Sequence, residues 1–170
     1  SDDKVAREGA LDALNEWQDS SAIAPLLEVA KGDDAAQQVT AIRGVVDVLK
    51  HSPTASGAEK VAAYTQALSI AKRPEEKKMI LGALSNERGE TAFELAASTL
   101  DQPGLEAEAS LAVIKTALPQ GKGQPGLTGA KVAAALKKAI PHCPDGGLKA
   151  DASRYLKTLG AKWARRRDRS

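Results

Sequence analysis

Four arginines stand within five positions near the end of the chain, Arg165, Arg166, Arg167 and Arg169, with only Asp168 among them. Guanidinium groups at this density suit phosphate contact, each cation releasing counterions from an anionic polymer. These four are the candidate anion-contact residues. A nucleic-acid groove would also want aromatic rings near the bases, and only 3% of the chain is aromatic. The favoured expectation is a solvated helix end, where cations complement the negative pole of the helix dipole.

The other chemistry-bearing residues are sparser. Gly121 to Gly126, GKGQPG, has the literal G-x-G-x-x-G spacing of a dinucleotide loop. That loop needs a strand before it, a helix opening at its end and an acidic residue about 20 positions on. Here helical periodicity precedes it and Pro125 lies inside it, so an ordinary loop with at most a weak anion nest is expected. His142 and Cys143 adjoin between Pro141 and Pro144. Adjacent side chains in an extended loop point apart, which disfavours a Cys–His nucleophile pair. Two histidines and one cysteine are too few soft ligands for a zinc site. Asp33-Asp34, Glu75-Glu76, Glu106 and Glu108 lie near expected helix starts, where carboxylates complement the dipole. A paired-carboxylate hydrolase would need a cleft that raises one pKa. No catalytic residue, cofactor or metal is therefore expected, and the chain reads as a non-enzyme.

The elements that must position these groups are helices. Hydrophobic residues make up 42% of 170 positions, and much of that is alanine, which lets helices approach closely. A chain this long can bury about 70% of its unfolded surface in one core. Apolar residues recur at steps of three and four: Ala6, Ala10, Ala13, Leu14 and Trp17, then Ile23, Leu26, Leu27 and Ala30 after Asp19-Ser20-Ser21, which are good caps. Gly32-Asp33-Asp34 closes this hairpin. The second unit carries Val39, Ile42, Val45, Val46 and Leu49, the link HSPTASG, and Val61, Tyr64, Leu68 and Ala71. In the third, Pro74 suits a first helical position, the link Ser85–Gly89 is short, and Ala92, Phe93, Ala96, Ala97 and Leu100 follow. The fourth has Leu105, Ala109, Leu111, Ala112, Ile114 and Leu118, the loop PQGKGQPGLTG, then Val132, Leu136, Ala139 and Ile140. After PHCPDGG a last helix, about 148–165, carries Leu148, Ala152, Tyr155, Leu156 and Leu159. Trp17, Tyr64 and Phe93 sit on these stripes and are expected in the core.

Internal similarity sets the architecture. A slide of 70 residues lays ALDALNEWQDSSAIAPLLEVAKGD on ILGALSNERGETAFELAASTLDQP, matching Leu11 with Leu81, Leu14 with Leu84 and Ile23 with Phe93. Slips of 68 to 71 bring Val45-Val46 onto Val113-Ile114 and EKVAA (59–63) onto AKVAA (130–134). Short-turn and long-loop hairpins thus alternate. The expected fold is all-α, about four antiparallel helix pairs plus a C-terminal helix stacked as a right-handed α-α superhelix over 1–165, with 166–170 as a basic tail or linker.

The unit VAREGALDALNEWQDSSAIAPLLEVAKGDD resembles a HEAT repeat, in the short bacterial form also seen in phycobilisome-lyase-like repeats. The segments AIRGVVDVL, GAEKVAAYTQALSIAKRPEEKKMILGAL and FELAASTLDQPGLEAEASLAVIKTAL extend the likeness over about 5–140. It implies an interaction scaffold without shared catalytic residues, the second helix of each pair lining the concave face. Its partner would be another protein or a neighbouring domain of a longer bacterial parent, and such parents are often exported. HEAT-like DNA glycosylases show that the fold can also hold nucleic acid, so binding of an anionic polymer through the basic end is the alternative.

The chain opens on Ser1-Asp2-Asp3, almost directly in a helical pattern, which suits a piece of a longer protein. It has no apolar run of about 18 residues for a membrane span and no signal-peptide pattern. The net charge of +2 is unevenly spread: residues 1–34 carry 3 basic and 9 acidic side chains, whereas 162–170 carry 5 basic and 1 acidic.

Overall fold

The computed structural model describes Val5, Gly9, Ala13 and residues 20–52 and 55–167, with backbone alone for Lys122 and 161–167. The chain divides into two compact units, Ser1–Ala83 and Leu84–Ser170. Among the described residues there are eight α-helices, three short 3-10 turns and no strand beyond one isolated bridge, Gln120 to Gln124. The protein is all-α, and its helices pack mostly on their neighbours in sequence.

In the first unit a 3-10 turn, Ser20–Ala22, runs straight into α1 (Ile23–Ala30). Its stripe Leu26, Leu27 and Ala30 is buried as the period requires. Asp34 starts α2 (Ala35–His51): its Oδ1 accepts from Ala36 N at 2.9 Å and Gln37 N at 3.1 Å, satisfying two otherwise orphan donors. The buried amide Nε2 of Gln38 donates to Ala30 O at 2.9 Å, so α2 caps the open C-terminal end of α1. Helix α3 (Gly57–Ile70) opens on a capping box of Ser56 and Glu59. Hydrogen bonds from Ser56, side chain first and backbone N–H second, hold the Glu59 carboxyl below its usual range. Helix α1 packs on both α2 and α3, and α2 packs on α3. Helix α4 (Pro74–Leu84) follows.

The second unit holds α5 (Glu90–Ala97), α6 (Glu106–Ala117), α7 (Ala130–Ala139) and α8 (Gly146–Arg167). Helix α6 is its centre, touching α5, α7 and α8, and α7 also touches α8. Arg88, ahead of α5, donates from Nη1 to Lys115 O at 2.7 Å, placing a cation on the negative end of α6. Helices α5 and α7 begin alike. Gly89 (φ 99°, ψ 171°) and Gly129 (φ 120°, ψ 170°) are their N-caps, in backbone that an L side chain resists. Their carbonyls accept from Phe93 N at 3.2 Å and Ala133 N at 3.1 Å. The two joints lie 40 residues apart, and this offset superposes the buried pairs Ala92 with Val132, Ala96 with Leu136 and Thr99 with Ala139.

Several expectations shift. The expected first helix falls almost wholly outside the described residues. Val5, Gly9 and Ala13 are helical and exposed, so Ala13 faces solvent and not the core stripe. Helix α8 starts at Gly146, earlier than expected, because Asp145 Oδ1 accepts from Leu148 N at 2.9 Å. It continues to Arg167, two residues past the expected end, through Ala, Lys and Arg, which are good helix formers. Leu84, Tyr64 and Phe93 are buried as expected; Leu14 and Trp17 lie outside the described residues.

Candidate interaction surface

Among the described residues, open grooves run between helices of each unit. Between α7 and α8 lies one of about 370 Å³, lined by Ala130, Ala133, Ala134 and Lys137 on one side and Leu156, Leu159 and Gly160 on the other. Helix α7 spends its large residues Val132 and Leu136 on the buried face, which leaves alanines for the groove. Ala133 stands four residues after the cap Gly129, the place that Phe93 takes after Gly89 in α5, so α7 has a small residue where α5 has a large one. Lys131 and Lys138, on another side of α7, pair with Glu94 at 3.4 Å and Asp101 at 2.5 Å. Lys137 is exposed and has no ion pair among the described residues.

Between α1 and α3 a groove of about 290 Å³ has Ile23, Ala24, Leu27 and Ala63 in its floor, with Glu28 and Glu59 as its charges. The third groove, about 410 Å³ between α2 and α4, is lined by Thr40, Arg43, Val46, Asp47, Lys50 and Met79. Arg43 also reaches Glu76, with Nη2 3.9 Å from Oε1, while Arg73 Nε lies 3.5 Å from Oε2. Glu76 is only 2% exposed and its Oε1 accepts no hydrogen bond. From its place it is expected merely to complement the dipole of α4; the structure makes it a buried counter-ion for two arginines, Arg73 at a helical i,i+3 spacing and Arg43 on α2, which no spacing signals.

The first two grooves carry scattered charges on largely apolar walls, and the third is lined mostly by polar and charged side chains. Among the described residues no three His, Cys, Asp or Glu side chains gather as they would around a metal ion. His142 is exposed while Cys143 is buried, its thiol donating to Asp145 O at 3.4 Å, so the two point apart as expected. No described helix is long and apolar enough to cross a membrane. Of the candidate anion contacts, Arg165, Arg166 and Arg167 have helical backbone, but their side chains, and Arg169 altogether, lie outside the described residues.

The glycine loop has a structural role. Helix α6 precedes it and α7 opens at Ala130, so the strand–loop–helix of a dinucleotide site is not formed. Leu127 N donates to Ala117 O at 2.8 Å, and Tyr155 Oη donates to Leu127 O at 2.9 Å, pinning the loop to α6 and α8. Partial burial raises the Tyr155 phenol above its usual 10.0. A raised pKa means the fold prefers the protonated phenol. Its contribution is present below the unfolded value near 10 and is lost as pH climbs through the folded one. Tyr155→Phe should cost about 0.5–1.5 kcal/mol at pH 7. It should also flatten the fall in stability above pH about 10, read from urea titrations at several pH values. Parallel curves for both proteins up to pH about 11 would show that this hydroxyl carries no linkage.

The groove between α7 and α8 was missed at the sequence level. The residues that would have revealed it are Phe93 and Ala133, but the 70-residue slide pairs Phe93 with Ile23 and hides the 40-residue match. No protein-family model, no curated protein and no solved structure matches this chain.

Proposed function

We propose that this chain is a non-catalytic protein-binding scaffold of the HEAT-like α-solenoid kind. What supports the reading is the packing rule within each unit: α1 touches α2 and α3, and α6 touches α7 and α8. A helix contacting both its next and next-but-one neighbour is the local rule of two-layer repeat stacks. The paired glycine joints at Gly89 and Gly129 add a second sign of repetition. The groove between α7 and α8, walled mainly by alanine and leucine, suits an incoming helix better than a reacting small molecule. The partner is a protein or a neighbouring domain of a longer bacterial chain.

The alternative, an anionic polymer held by the arginines, separates from this reading in one titration. At about 150 mM salt the Debye length is about 8 Å, and four cations supply only a weak, non-specific term. Fluorescence anisotropy with a labelled DNA duplex should show no micromolar binding, with or without residues 164–170. A photo-crosslinker at Ala134 should capture protein from the native source, while one at exposed Ser69, in the other unit and not part of the groove's lining, should not. Micromolar DNA binding abolished by the truncation would overturn the scaffold reading.

A further inference from the structure

We propose that the groove between α7 and α8 receives residues 1–19 of a second copy of this chain, with Val5 as the apolar anchor. The inference rests on the scaffold reading only in taking the groove as an interaction surface. Val5 is the sole large hydrophobic residue that is exposed among the described residues, at 69%. Val5, Gly9 and Ala13 are each helical and exposed, and they are spaced by four in the sequence. All are small enough for a backbone to lie close to a floor of Ala130, Ala133 and Ala134. Where α5 carries the buried Phe93, α7 carries Ala133, a half-buried residue of the groove's lining.

Charge selects this occupant over other segments. Residues 1–19 carry six acidic side chains, Asp2, Asp3, Glu8, Asp12, Glu16 and Asp19, against Lys4 and Arg7. The receiving side offers Lys137 on the groove wall and exposed Lys157 beside Leu156. The chain beyond, 162–170, carries 5 basic side chains against 1 acidic. Opposite charges around a small apolar contact raise association rate and fix orientation. Two different patches meet, so the contact is heterologous: each molecule offers one anchor and one groove.

Sedimentation velocity of the full chain tests this at about 10 to 500 µM, the range suited to an interface below about 1,200 Å². The weight-average mass should rise with concentration, and rise less at about 300 mM salt than at 50 mM. Val5→Asp removes the anchor, and Ala134→Glu blocks the groove with bulk and the wrong charge. Both positions are exposed, so both variants should keep the wild-type melting curve. Each alone should be monomeric. Mixed in equal amounts they should form a 1:1 dimer, since one retains the groove and the other the anchor. A wild type that stays monomeric, a single variant that associates as strongly as wild type, or a mixture that stays monomeric would overturn the proposal. A monomeric chain that still crosslinks a foreign protein at Ala134 would overturn it while leaving the scaffold reading in place.

Discussion

Leu84→Ala should lower the urea midpoint by the equivalent of about 2–5 kcal/mol, the range for deleting a fully buried leucine side chain and leaving its cavity. Leu84 closes α4 and is 0% exposed. Ile80 and Leu81 on the same helix are equally inaccessible, so Leu84 belongs to a stripe fully withdrawn from solvent, where close packing makes a lost side chain felt. The residue was singled out because the 70-residue slide sets it against Leu14. Leu84→Met, nearly equal in volume, should cost less than about 1.5 kcal/mol. A loss within about 0.5 kcal/mol for the alanine variant, the size of a surface change, would show the stripe to be misassigned.

The second large effect is expected at Gly126. A Cβ there would lie 2.5 Å from Tyr155 Oη, 2.7 Å from Tyr155 Cζ and 2.8 Å from Ala117 O. Neither neighbour can yield cheaply. The ring is tied through its hydroxyl to Leu127 O, and the Ala117 carbonyl holds Leu127 N at the end of α6. The loop would have to lift away, adding an overpacking cost of about 1–3 kcal/mol to the loss of two hydrogen bonds at about 0.5–1.5 kcal/mol each. Gly126→Ala should therefore destabilise by about 2–6 kcal/mol in urea or thermal unfolding. Gly123→Ala in the same loop meets nothing within 4 Å and should be near neutral. Combining Gly126→Ala with Tyr155→Ala should cost less than the sum of the two singles, because the ring is half of the clash. Strict additivity would place the damage elsewhere.

The same loop shows how far residues alone carry the reading. Helical stripes, Asp34 near a helix start and the break at Gly32 follow from period, hydrogen-bond chemistry and backbone restriction, all of which act within a few residues. The dismissal of GKGQPG as a phosphate cradle follows from the same local signals. What Gly126 does is not legible there, because its neighbour Tyr155 is 29 positions away and nothing in the spacing points to it. Glu76 is a similar case: a carboxylate in a first helical turn has an adequate local explanation, and only packing shows that it is buried between Arg43 and Arg73. Ala13 fits a buried stripe by period, yet alanine is compatible with either face and carries little information about orientation. The groove between α7 and α8 is hardest to foresee, because its lining of alanines is defined by what is small at positions where α5 is large.

The glycine joints at Gly89 and Gly129 have a genetic consequence. Because both turns present the same backbone to the helix that follows, DNA encoding one could recombine with DNA encoding the other and leave a chemically familiar seam. Unequal crossing-over there would add or remove a block of 40 residues without inventing a new turn. The length of such a chain is then the trait that mutation reaches most readily, and each added block would bring another inter-helix surface with it.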